Sequence, residues 1–146
     1  MPITTLGHVV LKVRSLERSV PFYRDVLGFR EVARYGGRMV FFSQGKNHHD
    51  LALLEIGATA APPGAQSVGL AHVAFKVGET LEDLRRFKQH LESHQVAIRG
   101  MSDHKVSQSL YLNDPDGIEV EVYVDADPRI WKEDPASVAT IEPLRL

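Results

Sequence analysis

The side chains best suited to chemistry are the histidines and one closely spaced carboxylate pair. Seven histidines and no cysteine are present. Any bound metal must therefore be held by imidazole and carboxylate, not thiolate. Two histidines open matching hexapeptides: residues 8–13 read His-Val-Val-Leu-Lys-Val, and residues 72–77 read His-Val-Ala-Phe-Lys-Val. Four of the six positions are identical. The carboxylates stand in Ile118-Glu119-Val120-Glu121-Val122-Tyr123-Val124.

These segments read as strands, whose side chains alternate between two faces. Val9, Leu11 and Val13 form one apolar set, which leaves His8 on the opposite face with Val10 and Lys12. The same parity separates His72 from Val73, Phe75 and Val77. Near the C-terminal end, Ile118, Val120, Val122 and Val124 form the apolar set, and Glu119, Glu121 and Tyr123 point the other way. Two histidines and one carboxylate on a metal leave positions open for substrate and oxygen, a pattern that suits iron(II). Parity alone does not choose between Glu119 and Glu121.

The elements that must position these groups occur twice. After the first hexapeptide, Ser15–Leu27 carries Leu16, Val20, Tyr23 and Leu27 at helical spacing, although Pro21 predicts a late start or a kink. After the second, Thr80–Gln95 carries Leu81, Leu84, Phe87 and Leu91 on one stripe, with Thr80 and Asp83 as a helix-start signal. Strand-like runs follow at Phe29–Tyr35, Arg38–Ser43 and Asp50–Ile56, and again at Val96–Gly100, Val106–Asn113 and Ile118–Val124. Asp114-Pro115-Asp116-Gly117 is a strong turn signal. The expectation is an α+β fold of two βαβββ modules, forming a curled mixed sheet around a metal groove with helices on the outer face. Module one covers about 5–57, the linker 58–67, module two about 68–125 and a C-terminal tail 126–146, together making a single domain. The tail is expected to pack on the domain or on a partner chain.

Composition narrows the classes. The net charge is −2 and no basic block is present, which argues against nucleic acid as a partner. No apolar run approaches the roughly 20 residues needed to span a bilayer. The N-terminus lacks the charged start and long apolar core of a secretory signal, so a cytoplasmic protein is expected.

The motifs Gly7-His8-Val9-Val10-Leu11-Lys12-Val13, Phe22-Tyr23-Arg24-Asp25-Val26-Leu27-Gly28-Phe29, Ala71-His72-Val73-Ala74-Phe75-Lys76-Val77 and Asp114-Pro115-Asp116-Gly117 leading to Glu121-Val122-Tyr123 resemble the vicinal oxygen chelate superfamily. That group includes glyoxalase I, fosfomycin- and bleomycin-resistance proteins and type I extradiol ring-cleaving dioxygenases. In the family the metal carboxylate precedes an apolar and then an aromatic residue, so the resemblance implies Glu121, with His8 and His72, as ligands. Three features are similar to the extradiol enzymes in particular. His49, before Asp50-Leu51-Ala52-Leu53, matches the family acid/base. His104, in Ser102-Asp103-His104-Lys105-Val106-Ser107, matches a loop histidine of the active site. Tyr111, ten residues before Glu121, matches a tyrosine that hydrogen-bonds a substrate oxygen. Strand parity puts His49 with Leu51 and Leu53, and Tyr111 with Ser107 and Ser109. The resemblance implies an iron(II) enzyme acting on a small aromatic diol with oxygen, as a homodimer, with Mn(II), Ni(II) or Zn(II) as other metals the site could take.

Other members of the superfamily define the alternatives. A glyoxalase-type isomerase uses four protein ligands, with a Glu on the last strand of the first module. Here Leu51–Leu53 is apolar, and Glu55 stands farther along. A fosfomycin-modifying transferase would leave His49 and His104 without a task, and the presence of all three ligands argues against a bleomycin-type protein that binds its drug without a metal. His90 and His94 on the second helix are expected to be a solvated pair, and His48 a neighbour of His49.

Overall fold

The computed structural model describes residues 2–146. These fall into two compact units, one ending at Gly64 and the other spanning Ala65–Leu146.

The first unit holds β1 (Val9–Val13), α1 (Leu16–Pro21), β2 (Arg30–Tyr35), β3 (Met39–Ser43) and β4 (Leu51–Glu55). The sheet order is β1-β4-β3-β2, with β1 parallel to β4 and the other pairs antiparallel. Leu11, Val13, Val40, Phe42, Leu51 and Leu53 are buried and supply the apolar face on which α1 rests through Leu16 and Val20. Pro21 resolves the ambiguity in the first helical stretch. It ends α1, and a π-helical turn continues over Phe22–Val26, closed by the Leu27 N–H donating to the Phe22 carbonyl at 2.9 Å. A proline removes one i→i−4 bond, and a wider turn absorbs the mismatch.

The second unit repeats the plan. It holds β5 (Val73–Gly78), α2 (Leu81–Ser93), β6 (Ile98–Asp103), β7 (Ser107–Asn113) and β8 (Glu119–Asp125). The order is β5-β8-β7-β6, again with one parallel pair, β5 with β8. The mixed α+β class and the doubled βαβββ plan thus match the expectation, with strand ends moved by at most three residues. Leu84 and Leu91 of α2 and Leu110, Leu112, Val120, Val122 and Val124 of the sheet are all buried. Truncating one such leucine to alanine costs roughly 2–5 kcal/mol.

The two helices start differently. Thr80 and Asp83 form a reciprocal capping box: the Asp83 N–H donates to Thr80 Oγ1 at 3.2 Å and the Thr80 N–H to Asp83 Oδ2 at 2.9 Å. Gly78 makes room for it, since a Cβ there would lie 2.4 Å from the Asp83 Cβ. Ser15 gives α1 no side-chain cap. Instead the Leu16 N–H donates to Glu55 Oε2 at 2.7 Å.

The tail packs on the second unit. α3 (Arg129–Glu133) is followed by a 3-10 turn over Pro135–Ala139, and β9 (Glu142–Pro143) adds to the edge of β6. Among the described residues, no helix is long and apolar enough to cross a membrane.

Candidate functional site

The second unit brings four of the candidate residues together on one sheet face. Glu121 is central to β8 and faces Tyr111 across the β7 pairing, while Ala74, two residues after His72, is its partner on β5. The His72 Nε2 lies 3.0 Å from Glu121 Oε2. Glu119 stands near the other ring nitrogen at 3.6 Å but is exposed. Glu121 is buried, at 8% exposure, and its Oε1 accepts from the Ser109 hydroxyl at 2.6 Å. A buried carboxylate requires partners. Ser109 satisfies one oxygen and turns the other toward His72. Geometry therefore distinguishes the two glutamates that parity left equivalent.

Tyr111 and His104 form a second pair beside the first. The rings of Tyr111 and His72 meet edge to face at 5.9 Å. The Tyr111 hydroxyl and His104 Nε2 are 2.8 Å apart, and His104 Nδ1 is 2.8 Å from the Thr140 carbonyl. A carbonyl can only accept, so Nδ1 carries a proton. In the neutral ring Nε2 is then the acceptor and the Tyr111 O–H the donor. Burial first, then the Glu121 charge, pushes the Tyr111 hydroxyl up to about 12, so at neutral pH it keeps its proton. His104 is placed by a tight hairpin. Its N–H donates to the Ser107 carbonyl at 2.9 Å, and Lys105 takes the left-handed conformation at φ 64 with its N–H on Asp103 Oδ1.

The first unit gathers histidine rings. The His8 and His49 rings meet at a tilt of 41° with centroids 4.1 Å apart, His49 meets Phe41 edge to face at 5.3 Å, and the His48 and His49 Nδ1 atoms are in hydrogen-bond contact. Burial, then the neighbouring His8 and His48, holds the His49 imidazole below the usual range, which favours a neutral nitrogen donor. The route to this position differs from the parity expectation, which grouped His49 with Leu51 and Leu53. β4 starts only at Leu51, and those two leucines are buried on the α1 side. Asp50 turns the chain first: its N–H donates to the Phe42 carbonyl, and its carboxylate accepts from the Gln44 N–H and the Asn47 amide. Freed from the strand, His49 reaches the ring of His8.

Within each unit taken by itself, no three His, Asp or Glu side chains among the described residues gather into a metal-holding group. The donor types nonetheless fit a divalent ion. His72 and Glu121 converge in the second unit, and His8 occupies the matching repeat position in the first. Glu55 is committed elsewhere, to the start of α1. The His90 and His94 rings are in tilted contact at the C-terminal end of α2, with His94 Nδ1 on the His90 carbonyl. Ser109 and Thr140 escaped the sequence reading. Ser109 shares the parity of Tyr111, which is a usable signal. Thr140 acts through its backbone, which leaves none.

Comparison with known proteins places this geometry in a family. Residues 5–122 match the model described as the Glyoxalase/Bleomycin resistance protein/Dioxygenase superfamily. A catechol-2,3-dioxygenase of Bacillus subtilis is 37% identical over 132 residues, covering 90% of this chain and 45% of that protein. The metallothiol transferase FosB of Staphylococcus epidermidis is 31% identical over 133 residues, covering 84% of this chain and 83% of that one. The crystal structure of a lactoylglutathione lyase from Agrobacterium tumefaciens shares the fold, with TM-score 0.67 at 24% identity over 90% of this chain and 98% of the other. The chain spans less than two thirds of the length of the dioxygenase relatives it matches first.

Proposed function

The chain belongs to the Glyoxalase/Bleomycin resistance protein/Dioxygenase superfamily, and from that premise we propose that it is an iron(II)-dependent extradiol-type dioxygenase opening a catechol-like diol with molecular oxygen. The observation that carries this reading is the His104–Tyr111 hydrogen bond lying beside the His72–Glu121 pair. A bare metal-binding module has no use for a proton-holding pair at that place.

His8, His72 and Glu121 would hold the cation, which supplies acidification of a chelating diol and a meeting point for diol and oxygen. Ser109 fixes Glu121 so that Oε2 faces His72, the orienting role of a group behind a ligand. Tyr111 keeps its proton and donates it to His104 Nε2, so its oxygen lone pairs can accept from a diol O–H and orient it. His104, held at Nδ1 by Thr140, keeps Nε2 as the acceptor that fixes the direction of the Tyr111 hydroxyl. His49 is proposed as the acid/base, holding and releasing a proton at a ring nitrogen near neutral pH. In the overall reaction one ring C–C bond beside the diol breaks, and both atoms of oxygen enter the ring-opened acid.

The test is oxygen uptake by anaerobically iron-loaded protein against a panel of catechols. The expected result is one oxygen consumed per diol, with a yellow ring-opened product. No uptake across the panel would sink the reading. The match to the transferase, which runs over most of that protein's length, supports a second reading as a metal-dependent group-transfer enzyme. Thiol transfer with manganese and no oxygen uptake would favour it. A glyoxalase-type isomerase is less well supported, because its expected first-module carboxylate position is filled by Ala52, and Glu55 caps α1.

A further inference from the structure

The tail does more than extend the second sheet. α3 and the 3-10 turn carry Trp131, Pro135 and Val138 over one end of the β7–β8 face, where with Val106, Ser107 and Tyr123 they line a cavity of about 330 Å³ with largely apolar walls. Asp125 stands at its rim, where its carboxylate lies 3.0 Å from Lys76 Nζ, a cation it shares with Glu79. Tyr123 lies on the same face as Glu121, two residues farther along β8, a distance of about 7 Å. Its partner on β7 is Ser109, the residue that orients Glu121. The cavity therefore opens one residue pair beyond the buried carboxylate. Trp131 is 49% exposed and Val138 63% exposed. Large apolar groups left uncovered in a concave site mark a binding surface.

We propose that this cavity is a specificity pocket that takes the apolar ring substituent of a small molecule whose polar end is held at His72 and Glu121. The proposal rests on the reading of those two residues as ligand-holding groups. The volume lies at the low end for small-molecule sites, enough for one phenyl-sized group and too small for an extended chain. Trp131 and Tyr123 offer ring edges and faces to such a group, and Val106 and Val138 remove the rest of its surface from water.

Trp131 is the chain's one tryptophan and so reports the pocket directly. Its emission is titrated with ethylbenzene, which cannot chelate a cation. A saturable change is expected, at least about tenfold weaker in affinity in Val138→Glu, a variant that alters an exposed wall and leaves the core alone. No saturable change, or one indifferent to Val138→Glu, overturns the proposal. Emission that follows protein concentration and ignores ethylbenzene assigns the surface to a second copy and overturns it equally. With iron-loaded protein, Val138→Glu should lower kcat/KM for phenyl-substituted catechols at least about tenfold relative to unsubstituted catechol. Equal turnover ratios in both proteins overturn the pocket and leave the dioxygenase reading standing. Ethylbenzene binding that Val138→Glu weakens, with no diol turned over, upholds the pocket and removes that reading.

Discussion

The two modules share a plan and differ where it matters. The parallel pairing sets Val10 against Ala52 in the first and Ala74 against Glu121 in the second. The antiparallel pairing then sets Phe41 against Ala52 and Tyr111 against Glu121, and likewise Met39 against Leu54 and Ser109 against Tyr123. Val10 and Ala74 are both apolar, but at the other four matched positions, Ala52 and Glu121, Phe41 and Tyr111, Met39 and Ser109, Leu54 and Tyr123, the first module carries an apolar group where the second carries a carboxylate or a hydroxyl. Both modules keep the repeat-start histidine. The comparison teaches that one scaffold was kept for its register while its faces diverged. One module offers a histidine ring cluster on a face without carboxylates at these positions, and the other offers a carboxylate with proton-holding groups. A single carboxylate position in place of two also leaves a proposed ligand set of three.

The comparison breaks first at the ligands. Replacing Glu121 or His72 by Ala should abolish iron(II) uptake measured anaerobically, and with it oxygen consumption. Ala52→Ser at the matched position should leave both intact, and full iron occupancy in Glu121→Ala would refute the assignment. The next largest effect is expected from making the second module resemble the first. Tyr111→Phe removes one oriented hydroxyl and should lower kcat about 10²- to 10³-fold. The reciprocal Phe41→Tyr should change kcat little, and equal effects would show that the two faces do not divide the work. Ser109→Ala unpins Glu121 and should weaken metal affinity by about 10–100-fold, read by competition with a chelating dye, while the fold stays intact in thermal melts.

Smaller effects sharpen the contrast between the helices. Thr80→Ala removes a formed cap and should cost about 1 kcal/mol in urea denaturation, while Ser15→Ala, whose side chain caps nothing, should cost only a few tenths. A pH effect follows from the same box. Hydrogen bonds from Thr80 and from the Glu79 and Thr80 N–H groups hold the Asp83 carboxyl below its ordinary range. Its contribution is therefore present above the unfolded carboxyl pKa near 3.9 and is lost as pH falls through the folded value. Asp83→Asn should flatten that part of the acid limb of stability. An unchanged limb would show that the box is not formed in solution.

Much of this was legible in the chain. The repeated His-Val-x-x-Lys-Val hexapeptide predicted matching strands, and alternation correctly assigned Leu11 and Val13 to the buried side and Tyr111 to the face of Ser107 and Ser109. Thr80 and Asp83 announced their capping box. Such signals are local, because side-chain direction repeats every two residues in a strand and a cap needs only its own turn. His49 was misplaced by the same rule. Where a strand begins depends on a partner distant in sequence, here the Asp50 N–H on the Phe42 carbonyl, and counting parity back through a turn fails.

Sequence by itself determined the two-module plan, the supply of imidazole and carboxylate and the absence of thiolate. It also determined which residues could share a face, because residue type and period are written in the chain. Tertiary structure alone decided that Glu121 is the buried carboxylate against His72, that the His49 ring lies against that of His8, and that a tail with no readable task holds His104 through a backbone carbonyl and lines a pocket. The physical reason is that distance, burial and backbone hydrogen bonding between remote segments arise only when the strands are paired, and no local pattern encodes them.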